Sequence, residues 1–145
     1  MTAALPPHPA SPLHGGRERG IIQRVRASLR RGIGHRAPHI LVGYSGGNDS
    51  LALALLVADL VRTGTLTAEL LHVDHAARPG SARAVPIIHD VGDRLGLDVR
   101  VVRLDPARVA SHAGVGREEA LRRERYRAFA QIAAEVLGTN VDDIR

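Results

Sequence analysis

The sequence predicts an α/β domain, an open parallel sheet with helices on both faces, in which the chain ends after about three strands. Two observations carry this. Three short apolar runs, at 39–43, 68–73 and 99–104, alternate with stretches of helical period, and a glycine-rich turn, GYSGGNDS, joins the first run directly to a helix. Strands alternating with helices indicate right-handed βαβ units, and no internal repeat at a fixed period competes with that organisation.

Residues 1–16 (MTAALPPHPASPLHGG) are rich in proline, histidine and glycine without apolar periodicity and read as a disordered tail, leaving 17–145 as the folded part. Over 17–31, Ile21, Ile22, Val25 and Leu29 recur at helical spacing among arginines, so a short amphipathic helix is expected. His39–Gly43 (HILVG) is a buried strand, and 50–63 carries apolar residues almost all round, as a helix packed on a sheet does. The segment 68–73 is the second strand. A helix over 85–95 begins near Pro86, tolerated in a first turn, and stops at Gly96. The third strand is 99–104. The longest helix, 116–137, turns Ala120, Leu121, Tyr126, Phe129, Ile132, Ala133 and Val136 to its apolar side, and Gly138 closes it. Tyr126 is thereby expected in the core.

Composition narrows the function. A chain of 145 residues is long enough for one domain with its own core, and without cysteine it has neither a disulfide framework nor a thiolate metal site. The longest apolar run, 51–61, is too short to span a bilayer and contains Asp59, so a soluble cytoplasmic protein with no membrane partner is expected. Net charge is +5, but all 20 basic residues are arginine in a chain rich in alanine and glycine, which points to compositional bias rather than a selected nucleic-acid surface. Aromatic residues make up 2%, namely Tyr44, Tyr126 and Phe129, which excludes an extended base-stacking platform.

In open α/β sheets ligands bind outside the carboxyl ends of the strands, and the first βα turn meets phosphate at a helix N-terminus. GYSGGNDS occupies that turn. Gly46 and Gly47 permit positive φ and leave no Cβ in a ligand's way, so successive N–H groups can converge on an anion, while Ser45 and Ser50 add hydroxyls. Asp49 would repel bare phosphate unless it holds a cation such as Mg²⁺ or caps the helix. Neither the GK[ST] nor the G-x-G-x-x-G pattern occurs. The alternative is a ligand-free glycine turn capped by Asp49 or Ser50.

SGGNDS has the form SGGxDS and resembles the PP-loop signature of the ATP-pyrophosphatases, which implies a fold of the adenine nucleotide alpha hydrolase type and a loop that grips the leaving pyrophosphate of ATP. Two further segments narrow the resemblance. His72 to Ser81 (HVDHAARPGS) is similar to the HVxHGLRxxS segment of the tRNA(Ile)-lysidine synthetases at His72, Asp74, His75, Arg78 and Ser81, with Ala76 and Ala77 in place of the usual glycine and leucine. Glu118 to Tyr126 (EEALRRERY) resembles that family's E-x-x-x-R-x-x-R-Y helix at Glu118, Arg122, Arg125 and Tyr126. The resemblance covers 17–138. It implies ATP held by Ser45, Gly46, Gly47, Asn48, Asp49, Ser50, His72, Asp74 and Arg78, catalytic roles for Asp49 and Arg122, and Mg²⁺ on Asp49. The reaction implied is adenylation of the wobble cytidine of tRNA(Ile) followed by attack of lysine.

The residues themselves also admit plainer roles. His72 points into the sheet and hydrogen-bonds there; His72, Asp74 and His75 form a possible metal trio; Arg122 and Arg125 suit a solvated helix face as well as an α-phosphate or RNA contact. Asp142 and Asp143 stand where a fourth strand would begin, so the family's H-H-x-D-D motif is expected beyond this chain, which reads as an incomplete piece inactive alone. HILVG is then an apolar sheet edge and an expected site of self-association. The alternatives are another PP-loop ligase or tRNA thiolase, with the lack of cysteine counting against cysteine-dependent thiolases, and a non-catalytic nucleotide-binding remnant.

Overall fold

The computed structural model of the chain describes residues 16–33, 39–75 and 83–138. Residues 1–15 of the expected tail, with Ala76, Ala77, Arg78, Ser81, Asp142 and Asp143, lie outside the described residues, and Gly16, expected in the tail, opens the first helix. The elements run α1 (Gly16–Ile33), β1 (His39–Gly43), α2 (Asn48–Arg62), β2 (Thr67–Asp74), α3 (Ala84–Leu95), β3 (Asp98–Arg103), α4 (Pro106–Ala110) and α5 (Arg117–Leu137). The chain divides into a unit up to Ala37, which holds α1, and a unit from Pro38 onward, which holds the sheet.

The sheet is parallel with order β1-β2-β3; Ile40 pairs with Ala68, and Leu70 with Val99. β2 is therefore central and is buried from Glu69 to Asp74, while β1 stands at an edge of the sheet among the described residues. Because side chains alternate along a strand, β2 serves two cores. Leu71 and Val73 pack with Leu104, Ala128 and Ile132 under α5. Leu70 faces the opposite way, the side on which α2 and α3 pack against β2, β3 and each other. At Gly92 of α3 the fit to β3 is close: a Cβ there would collide with Val99 Cγ2.

Three details depart from the sequence expectation. α2 begins at Asn48, two residues before the expected start, because the glycine loop winds straight into it. The short α4 was not expected, although Asp105 accepts a hydrogen bond from Ala107 N at 2.9 Å and Pro106 opens the first turn, a readable start signal. Tyr126 is 61% exposed and Val136 37%, not core residues. The buried stripe of α5 instead runs Ala120, Glu124, Ala128, Ile132 at four-residue intervals. Glu124 disguises it. That buried carboxylate accepts hydrogen bonds from His112 Nε2 (2.8 Å) and Arg108 Nε (3.2 Å), tying α4 and the following turn to α5. The bond from His112 and the nearby Arg108 hold it below the usual glutamate range against the opposing effect of burial.

A second buried carboxylate, Glu69, links all three strands. It meets His39 Nε2 of β1 at 3.3 Å and Arg100 Nε of β3 at 2.6 Å, and Arg100 reaches Glu135 of α5 at 3.5 Å. Its position near the start of β2 puts this ladder at the amino end of the sheet and leaves the carboxyl end for the site.

Candidate nucleotide site

The loop is an extension of the strand that feeds it. Tyr44 N continues the β1–β2 ladder by donating to Leu71 O (2.9 Å), and His72 Nδ1 donates to Tyr44 O (2.9 Å) from within the sheet. His72 thus points inward and hydrogen-bonds there, as its plainer reading expects, and holds the root of the loop from behind. Beyond Tyr44 the chain turns outward, and Ser45 through Asp49 are exposed.

Of the two glycines expected to use positive φ, one does. Gly46 has φ of 85°, whereas Gly47 is extended (φ −87°, ψ 167°) and serves as the N-terminal cap residue of α2. A Cβ on Gly47 would meet nothing closer than Ser45 Oγ at 3.5 Å, an ordinary contact, so the protein's own packing does not demand glycine there. The hydroxyls brace the loop. Ser50 Oγ donates to Gly47 O (2.8 Å) and accepts from Ser45 N (3.3 Å), and it lies 3.1 Å from Ser45 Oγ, which itself accepts from Gly47 N (3.4 Å).

No side chain caps α2, so the capped-turn alternative lacks its defining bond. The helix presents the N–H groups of its first turn at the loop, with the positive end of its dipole behind them. Asp49 sits in that first turn with an exposed carboxylate.

Beside the loop lies a cleft of about 380 Å³ lined by Gly43, Tyr44, Ser45, Leu71, Val73, His75, Arg125, Tyr126 and Phe129. It opens at the carboxyl ends of β1 and β2, roofed by α5, where ligands of open α/β sheets bind. A second cleft next to it shares His75 and Arg125 and adds Glu118, Glu119, Leu121 and Arg122.

His75 stands between the two. Its Nδ1 is buried without a hydrogen-bond partner. Burial first, then the charges of Arg125 and His72, lower its pKa below the ordinary histidine value against the opposing pull of Asp74, so the ring is neutral at pH 7. Arg122 is engaged elsewhere. Its Nε and Nη2 donate to Glu119 at 2.7 and 3.1 Å, Arg123 Nε shares that carboxylate at 2.9 Å, and the Arg122 guanidinium lies 5.6 Å from the ring centre of Tyr126. These bonds, Arg122 first, hold Glu119 down to about 2.

The structure therefore brings Ser45, Gly46, Gly47, Asn48, Asp49 and Ser50 together in one open loop, with Ser45 on the cleft wall. His72 and Asp74 are buried in β2 and do not line the cleft, and Arg122 lines the neighbouring one. Among the described residues no three His, Asp or Glu side chains converge to hold a metal, the trio of His72, Asp74 and His75 included. Sequence reasoning left out the cleft wall itself: Phe129 and Tyr126 read as core, His75 as one of a metal trio, and Arg125 as either a solvated residue or an α-phosphate or RNA contact. The signal that could have found them is that the chain's three aromatic residues all belong to motif-bearing segments or one turn after them.

Residues 19–141 match the PP-loop domain family. Among curated relatives, a tRNA(Ile)-lysidine synthase from Deinococcus deserti is 38% identical over 98 residues, 66% of this chain and 17% of the relative. Those from Symbiobacterium thermophilum and Salinispora tropica are 32% and 39% identical over 118 and 114 residues, covering 80% and 74% of this chain. The chain matches 24% and 33% of their lengths. Among solved structures, a U34-tRNA thiolase from Methanococcus maripaludis, described with its [4Fe-4S] cluster, superposes with a TM-score of 0.58 at 14% identity, covering 81% of this chain and 43% of the thiolase. That likeness shows the fold. No helix among the described residues is long and apolar enough to cross a membrane.

Proposed function

The chain belongs to the PP-loop domain family, and on that premise we propose that it is the ATP-binding part of a tRNA(Ile)-lysidine synthase, working in the cytoplasm on tRNA(Ile) and lysine. The observation that carries this reading is the uncapped N-terminus of α2 behind an exposed glycine loop, with an open Cβ position at Gly47. Such a surface suits a polyphosphate. The backbone N–H groups from Gly46 to Ser50 hold the β- and γ-phosphates, and Ser45 and Ser50 keep the loop in shape through their mutual hydrogen bonds.

Asp49 is the residue that would hold a Mg²⁺ ion, because its exposed carboxylate is not spent on capping. That ion would neutralise charge on the departing pyrophosphate. Arg125, on the wall with Ser45, suits a contact with the α-phosphate, since the Nε–Nη2 edge of Arg122 is engaged by Glu119. His72 acts from behind, fixing Tyr44 and the loop root.

In the reaction, the C2 carbonyl oxygen of the wobble cytidine attacks the α-phosphorus and the bond to pyrophosphate breaks. The lysine amine then attacks C2, AMP leaves, and lysidine results. The distant thiolase shares the fold alone, and these 145 residues offer no cysteine to ligate a cluster of the kind it carries. The test is a domain exchange: residues 19–141 replace the matched segment of the Salinispora tropica relative. The chimera is expected to transfer labelled lysine to unmodified tRNA(Ile) with one pyrophosphate released per lysine. Release of ADP and phosphate instead would refute the reading.

A further inference from the structure

The positive charge of the chain is not spread along it. Residues 1–37 carry seven arginines and one glutamate, a charge of +6, whereas 38–145 carry 13 arginines against 14 carboxylates, a charge of −1. A compositional bias alone does not sort arginine in this way. In the sheet unit arginines are answered by carboxylates: Arg62, Arg94, Arg100, Arg108, Arg122 and Arg123 each form an ion pair. In α1 the exposed Arg24 and Arg31 pair with no carboxylate of the described residues. Positions 17, 24 and 31 of α1 are all arginine, and at seven-residue intervals they share one helix face. That face lies opposite Ile22, which is buried.

We propose that this arginine row is an RNA-docking surface, which holds the phosphate backbone of the tRNA substrate independently of the nucleotide site. The proposal rests on the reading that the chain acts on tRNA. The outer two positions of the row stand about 21 Å apart along the helix axis, too far to converge on one phosphate, so the row fits an extended polyanion. Guanidinium groups match phosphate oxygens through paired hydrogen bonds. An anionic membrane suits the helix less well. A helix lying in a bilayer surface needs its apolar side free, and Ile22 is only 6% exposed. α1 has no aromatic residue to stack on a base, so the contact adds affinity and register without reading sequence.

Fluorescence anisotropy measures the binding of labelled, unmodified tRNA(Ile) to the 145-residue chain across a series of KCl concentrations. The titration is repeated on a row variant, Arg17→Gln with Arg24→Gln and Arg31→Gln, and on a control of equal charge, Arg94→Gln with Arg103→Gln and Arg127→Gln, whose three positions are exposed. Glutamine keeps helix propensity, and circular dichroism checks that the helix content is unchanged. The row variant weakens binding by roughly tenfold or more at low salt and flattens the slope of log K against log salt by about three, one for each phosphate contact. The control keeps the slope of the unaltered chain. Arg17→Lys, Arg24→Lys and Arg31→Lys together also keep it, as does a tRNA of another sequence. Calorimetry gives the same ATP affinity in every variant. Equal losses in the row variant and the control would reduce the row to bulk charge and overturn the proposal, while tRNA binding by the chain would leave the reading beneath it standing. An unaltered chain that binds no tRNA at low salt also overturns the row, and lysine transfer by the chimera then decides that reading separately. Loss of ATP affinity in the row variant would overturn its independence from the nucleotide site. Vesicles of phosphatidylcholine and phosphatidylserine bound more tightly than tRNA, through the same three arginines, would reassign the surface to a membrane.

Discussion

Replacing Gly46 and Gly47 separately by alanine divides what the loop does for the fold from what it does for a ligand. At Gly46, φ of 85° forces alanine into the left-handed region, which costs roughly 1–2 kcal/mol, although no atom lies within 4 Å of the new methyl. Reduced freedom in the unfolded chain returns about 0.4–1 kcal/mol, so a net loss of about 1 kcal/mol is expected. In a unit of this size that lowers Tm by roughly 4–8 °C. At Gly47 the backbone is already extended and the methyl meets Ser45 Oγ at an ordinary 3.5 Å. Alanine is a poorer cap residue than glycine by some tenths of a kcal/mol, and the unfolded-state gain offsets that, leaving Tm nearly unchanged. The ligand sees the reverse. The Gly47 methyl stands where a phosphate approaches the N–H groups, and losing one hydrogen bond to a charged oxygen costs roughly 1.5–3 kcal/mol, about 10- to 100-fold in Kd. Thermal unfolding and ATP calorimetry on the two variants therefore give opposite orders. Wild-type ATP affinity in Gly47→Ala would refute the loop's role in holding phosphate, and an unshifted Tm in Gly46→Ala would refute the argument from its backbone.

Glu69→Gln should cost about 1–2 kcal/mol at pH 7, more than a surface pair because the carboxylate is buried and less than a fully buried one because Arg100 and His39 reach water. Burial raises the Glu69 pKa, but Arg100 and His39 more than offset it and the net shift is downward, so its stabilisation is present above about pH 4.5 and lost as pH falls through the folded value; equal denaturant midpoints for variant and wild type at pH 7 would count against it. The His75 ring should titrate by NMR with a midpoint below 6.5, and Arg125→Ala should raise that midpoint, since burial is its first cause and Arg125 its second. Its folded value is depressed, so protonating it opposes folding and stability falls as pH drops below about 6.5; a midpoint above 6.5 would contradict the buried, unpartnered geometry. The β1 edge should make the isolated chain self-associate at rising concentration, and light scattering that reports a monomer throughout would set that aside.

Elements that announce themselves locally were legible in the chain. HILVG, the strands at 68–73 and 99–104, and the glycine-terminated helices appear where period and punctuation put them, although only β2 is buried along most of its length; β1, expected to be buried, buries Val42 alone, and β3 is half-exposed. The phosphate loop was legible for a different reason: its chemistry needs contiguous backbone N–H groups, so its residues are neighbours in sequence. α5 was misread in rotation, not in extent. A stripe with a glutamate at its centre does not look apolar, and that glutamate's partners, Arg108 and His112, lie on another element.

By itself, then, the sequence determined the alternation of strand and helix, the PP-loop and the family, all of which depend on local period or on contiguous residues. Only the tertiary structure decided that Tyr126 and Phe129 wall a cleft, that His72 supports the loop from behind while His75 lines the cleft, and that Arg122 is held by Glu119. Those outcomes depend on which face of a strand or helix meets another element, and a difference of one residue on β2 or two on α5 reverses it.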